Sequence, residues 1–149
     1  MVYFSNPQTW IVVAVTLIIV TLCIGLHYEI LVHCRRYLNQ LTDRRRRRVL
    51  VLILLILLAH SLEIWLFGIG YALLLEVFDG GELAGAVMNS YVDYVYYSAV
   101  VFTTVGFGDI TPHGPIRFLT GMEALAGLVM ITWSASYTFL EMQRDWTRE

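Results

Sequence analysis

Three apolar stretches, at about residues 10–32, 49–78 and 117–140, leave this chain little choice of solvent. Each can cross roughly 30 Å of hydrocarbon, which takes about 20 helical residues at 1.5 Å each. Of the 149 residues, 58% are hydrophobic and 15% charged, whereas a soluble domain carries about a quarter charged. The sequence therefore predicts an all-α membrane protein with three transmembrane helices. Between the second and third stretches lies Thr103-Thr104-Val105-Gly106-Phe107-Gly108-Asp109, which no ordinary helix would keep. Irregular backbone at membrane depth survives only where protein buries it or where it lines a water-filled path.

Charge sets the expected orientation. The chain has no lysine, and seven of its ten arginines (Arg35, Arg36 and Arg44 to Arg48) follow the first stretch. Arg144 and Arg148 lie in the C-terminal tail, and only Arg117 falls elsewhere. Arginine in short flanking loops marks the cytoplasmic side, so the first loop and the C-terminus are expected inside and the N-terminus outside. The linker carrying Asp79, Glu82, Asp93 and Asp109 then faces outward. The first stretch reads as a retained helix, since it is too long for a leader and no small-residue cleavage site follows. Cys23 and Cys34, eleven apart on one helix, cannot bridge each other.

The second linker departs from a plain bundle. Asp79-Gly80-Gly81 is turn chemistry. Ser90 followed by Asp93 reads as a capping box opening a helix over 90–103. At roughly 20 Å that helix is too short to cross, so it is expected to be re-entrant. Thr111-Pro112-His113-Gly114-Pro115 then breaks the chain before the last span. The expected organisation is residues 1–48 as an N-terminal helix with its arginine-rich loop, 49–143 as a pore module, and 144–149 as a short tail. Within the module, an outer helix takes 49–78, a pore helix 90–103, a filter 104–109 and an inner helix 117–140.

A short helix entering from outside aims its C-terminal end, with about half a negative charge, at the membrane centre. The segment returning from it exposes successive carbonyls. Gly106 and Gly108 permit the left-handed backbone that lets those carbonyls share a direction. Val105 and Phe107 are expected to turn away from the axis. The run resembles the filter signature of the potassium-channel superfamily, whose TVGYG loops coordinate dehydrated ions through carbonyl oxygens. The resemblance covers about residues 49–140 and is nearest to small bacterial two-transmembrane channels with one extra N-terminal helix.

That resemblance implies ion sites at the carbonyls of Thr104, Val105, Gly106 and Phe107 plus the Thr104 hydroxyl, with K+ as the permeant ion. It implies supporting roles for Thr103, Gly108, Asp109, Tyr96 and Tyr97, with Tyr97 matching the pore-helix aromatic that bonds Asp109. Gly127 matches the inner-helix hinge glycine, and Leu128, Ile131 and Ala135 would face the cavity. Phe107 stands where tyrosine is commoner, and Val100 where some relatives carry glutamate, so the filter is expected to be less braced. One chain supplies one filter strand, so a homotetramer is required.

Ionisable groups inside a membrane are functional candidates. Glu63, about 22 Å along the helix from Arg48, and Glu123, about 9 Å from Arg117, are expected at similar depth. With His60 they would form a buried polar network behind the filter, acting as structural glue or as a pH-sensitive element. His113 is a second, external proton-sensor candidate. Arg44 to Arg48 would attract anionic lipid headgroups; a nucleic-acid role is not expected.

The reading is a non-enzymatic, potassium-selective channel of the plasma membrane, of a bacterial inner-membrane kind. A less selective monovalent cation channel is the alternative. A remote one is an intramembrane metalloenzyme joining His60 and Glu63 to His27, Glu29 or His33. It is disfavoured because His27 and His33 are expected near the inner end of the first span, far from His60. A non-conducting accessory subunit would have no use for the filter run.

Overall fold

The computed structural model describes residues 7–40, 45–85 and 90–146. Four helices, α1 (Pro7–Gln40), α2 (Arg45–Glu76), α3 (Tyr91–Phe102) and α4 (Arg117–Trp146), carry nearly all of it. Three of them, over Pro7–Leu38, Arg47–Glu76 and Arg117–Arg144, are long and apolar enough to cross a membrane. The helices outrun the apolar stretches at several ends. Hydrophobicity marks the hydrocarbon depth, whereas a helix continues into charged sequence until a breaker stops it.

Helices α1 and α2 run antiparallel. Leu38 clusters with Leu52 near their connection, the His27 and His60 rings stack further along, and Ile19 lies against Gly70 beyond them. Much of the outer surface of this pair is exposed leucine, isoleucine and tryptophan, such as Leu54, Leu57, Trp65 and Ile69. In water that surface would be costly; in lipid it is solvated.

The short α3 wedges between α2 and α4. Its start is fixed by the capping box: Ser90 Oγ accepts from the Val92 N–H at 3.3 Å, and the Asp93 carboxylate accepts from the Ser90 N–H at 2.9 Å. Twelve residues give about 18 Å of helix. Two glycines let backbone approach backbone around it. A side chain at Gly68 would press on Val95, and one at Gly127 would collide with the Phe102 carbonyl. The core joining the elements contains Phe67, Tyr71, Leu74, Tyr97, Phe102, Ile116, Leu119 and Met130.

A two-stranded ladder completes the fold. Strand β1 (Glu82–Ala84) pairs antiparallel with β2 (Thr111–His113), with Leu83 opposite Pro112. Nothing in the apolar pattern announces it, because three-residue strands carry no readable alternation. It ties the chain before α3 to the chain after the Thr103–Asp109 run.

Candidate functional site

The run begins where α3 ends. Thr103 closes the helix with its N–H on the Ala99 carbonyl at 3.1 Å, and its hydroxyl bonds the same carbonyl at 2.7 Å. Thr104 N–H reaches the Val101 carbonyl at 2.9 Å and Gly106 N–H the Val100 carbonyl at 3.3 Å. The backbone then turns left-handed at every second residue: Thr104 (φ 59°), Gly106 (φ 57°) and Gly108 (φ 79°). Glycine adopts such angles freely; for Thr104, β-branched, the same conformation is strained by about 1–3 kcal/mol. Residues 103–109 are exposed in the protomer, with Val105 56% and Phe107 69% accessible. The two apolar side chains therefore turn toward no packing within their own chain.

Asp109 is held from α3, but by the neighbour of the residue expected. Tyr96 donates its hydroxyl to Asp109 Oδ2 at 2.8 Å. Tyr97, expected in that role, is buried instead; its ring meets Tyr71 edge-on at 5.0 Å, and its hydroxyl lies 3.3 Å from Thr120 Oγ1. Adjacent residues sit about 100° apart around a helix, so one of two consecutive tyrosines must face the core while the other reaches the surface. Sequence alone does not set that phase.

The expected Glu63–Glu123–His60 network is two separate clusters. Glu123, fully buried on α4, accepts the Tyr71 hydroxyl at 2.6 Å and the Ser98 hydroxyl, which also lies 2.8 Å from the Ile64 carbonyl. It joins α2, α3 and α4 behind the run. Glu63 is engaged elsewhere, with Oε1 2.7 Å from His27 Nδ1 and Oε2 2.8 Å from His60 Nδ1. His27 Nε2 in turn lies 3.2 Å from Ser134 Oγ on α4.

His27 therefore does not lie far from His60; their ring centroids are 5.5 Å apart. The expectation failed because it took the first helix to end near residue 32, whereas α1 runs to Gln40. A usable signal was present. His27 lies 13 residues before Gln40 and His60 lies 15 after Arg45, so an antiparallel pair joined by a short connection sets them face to face. His33 stays on the exposed side of α1, 3.7 Å from the Glu29 carboxylate.

Gly127 is buried where α4 meets the end of α3. Leu128, Ile131 and Ala135 share an exposed face of α4, as expected for residues that no element of the same protomer covers. His113 sits on β2, 3.3 Å from Thr111 Oγ1. Of the Arg44–Arg48 run, Arg44 lies outside the described residues; Arg47 is exposed, and Arg48 lies 3.9 Å from Glu141, which also accepts from Arg144 at 3.0 Å.

The run thus sits in an exposed left-handed-alternating loop that follows a short capped helix, between two helices of membrane length. A family model described as ion channel matches residues 49–144, more than half of the chain. The chain belongs to that ion-channel family. The matched module takes in nearly all of α2 and α4, with α3 and the Thr103–Asp109 run between them, and α1 lies outside it. The chain is also similar to a Bacillus subtilis (strain 168) protein described as uncharacterized membrane protein YdjJ. Identity is 34% over 86 residues, covering 54% of this chain and 25% of that protein, so the chain spans about a quarter of that relative's length. No solved structure matches it.

Proposed function

We propose that the chain assembles as a homotetramer in the plasma membrane and conducts K+ passively through a pore lined by Thr104 to Phe107. The observation that carries this reading is the left-handed backbone at Thr104, Gly106 and Gly108, which recurs with a period of two in an exposed segment. Such alternation aims consecutive carbonyls to one side. Four copies around an axis would replace a potassium ion's hydration shell, and ions would advance by knock-on between adjacent sites. Val105 and Phe107, bare in one protomer, would pack against neighbouring subunits. Helix α3 would serve as the re-entrant pore helix, with its C-terminal carbonyls toward the cavity. The apolar face of Leu128, Ile131 and Ala135 would line that cavity, and the arginine-rich connection would hold it to the cytoplasmic side.

The test is flux from liposomes containing only this protein. Loaded with K+ and diluted into Na+, they should develop an inside-negative potential that collapses when external K+ matches internal. Equal potentials with either cation outside would replace this reading with that of a non-selective cation channel. No flux from vesicles holding folded protein would overturn conduction altogether.

A further inference from the structure

The conduction path proposed above makes no use of one cluster among the described residues. His27 from α1 and His60 and Glu63 from α2 converge in the protein interior. Their donor atoms all lie within 4.8 Å of one another, His27 and Glu63 are fully buried, and the His60 side chain keeps 16% of its surface open. We propose that this cluster is a binding site for a divalent transition-metal ion, Zn2+ being the best fit, that clamps α1 onto the channel module.

The donor set argues for such an ion. Two imidazole nitrogens and a carboxylate suit a borderline cation and poorly suit Ca2+ or Mg2+, which take oxygen ligands. Each carboxylate oxygen already faces one imidazole Nδ1, at 2.7 and 2.8 Å. These are hydrogen bonds, so an ion would replace the two shared protons and the imidazole rings would turn to bring both Nδ1 atoms and the carboxylate onto one centre. Zinc lies about 2.0–2.2 Å from such ligands in a tetrahedral array, which sets neighbouring donors about 3.4 Å apart; donors now up to 4.8 Å apart would close by roughly an ångström or more to bind. His60 and Glu63, three apart, project from one face of α2. His27 completes the set from the facing helix, the way metal sites are built inside helical bundles.

The surroundings are arranged as for a ligand. Metal-bound histidine donates its other N–H to a fixed partner, which sets tautomer and ring orientation. Ser134 Oγ, 3.2 Å from His27 Nε2, is placed to accept that bond. Trp133, with its ring centroid 5.2 Å from that of His27, and Phe102, 5.8 Å from His60, wall the site with apolar surface. Proton balance is straightforward. Both Nδ1 atoms must offer lone pairs, so each imidazole then keeps one proton, on Nε2, and any second proton passes to solvent as the ion binds. Because Ser134 is on α4 and His27 on α1, the ion would link the helix outside the channel module to two helices within it.

The experiment is a metal titration of the full-length protein in detergent micelles after chelator treatment, with Co2+ as spectroscopic probe and Zn2+ as competitor. The expected result is one Co2+ per chain with the intense visible absorption of a low-coordinate site, displaced by Zn2+. Ser134→Ala, which keeps all three ligands, should weaken binding about tenfold or more. Glu63→Gln and His27→Ala should abolish it, and His33→Ala, on the exposed side of α1, should leave it unchanged. Folded wild-type protein giving no such absorption, or an absorption that survives Glu63→Gln and His27→Ala but falls in His33→Ala, would overturn the proposal. The readout involves no ion gradient, so its failure and a failure of potassium conduction are separate results.

Discussion

At the scale of single residues, the two tyrosines of α3 divide one expected role. Tyr96 reaches Asp109 at 2.8 Å, and Tyr97 is buried against Tyr71 and Thr120. With phenylalanine at 107, Tyr96 supplies a hydroxyl brace beside the run from α3 itself. Tyr96→Phe should therefore reduce steady potassium flux severalfold, through loss of a positioned Asp109, with little change in unfolding. Tyr97→Phe should do the reverse and lower resistance to unfolding while sparing flux. Paired flux and thermal-unfolding measurements on the two variants check the division. The motif itself was legible because glycine spacing and apolar flanks are local properties. Which tyrosine served it was not, because helix phase is set by the partner that α3 packs against. The left-handed Thr104 was equally hidden, since a β-branched residue gives no hint of that conformation.

At the scale of elements, the contact between α3 and α4 turns on one missing side chain. The Phe102 carbonyl occupies the space that a Cβ at Gly127 would need. Gly127→Ala should thus destabilise the fold by about 1–3 kcal/mol through overpacking, against a gain of up to about 1 kcal/mol in helix propensity. Gly121, on the same helix with nothing within 4 Å, is the control. Gly121→Ala should be neutral or slightly stabilising, and denaturant titrations in micelles compare the two. The long helices and the capped short helix were readable from apolar length and from Ser90 with Asp93. Their true ends were not, and the early end expected for the first helix misplaced His27; that Glu63 and Glu123 join separate clusters was hidden because similar depth says nothing about which helix face each side chain takes. The β1–β2 ladder was invisible because its partners lie 29 residues apart at the central pair, Leu83 and Pro112.

At the scale of the whole molecule, a single protomer leaves its most specific surface uncovered. Val105, Phe107, Leu125, Leu128 and Ile131 are all exposed, on the run and on the helix that follows it. Lipid could solvate the α4 residues, but the carbonyls of an open loop have no partner in hydrocarbon. Self-association would meet both needs. Mass measurement of the protein in native detergent complexes should give four chains per particle. Phe107→Asp, which places charge on a surface that the proposed assembly would bury, should shift the population toward monomers. A wild-type protein that remains monomeric would remove the basis for the pore.

The β1–β2 ladder has a further consequence. By joining Ala84 to Thr111 it makes α3 and the run a closed loop within one chain. The entropy of bringing distant segments together grows with loop length, and the ladder would meet that cost inside the subunit, before any partner arrives. Four preformed loops would then meet, leaving assembly to order side chains and not to fold backbone. A chain with the ladder broken, for example by proline at Leu83, would have to fold and associate in one step, and it should assemble slowly even where the finished pore is unchanged.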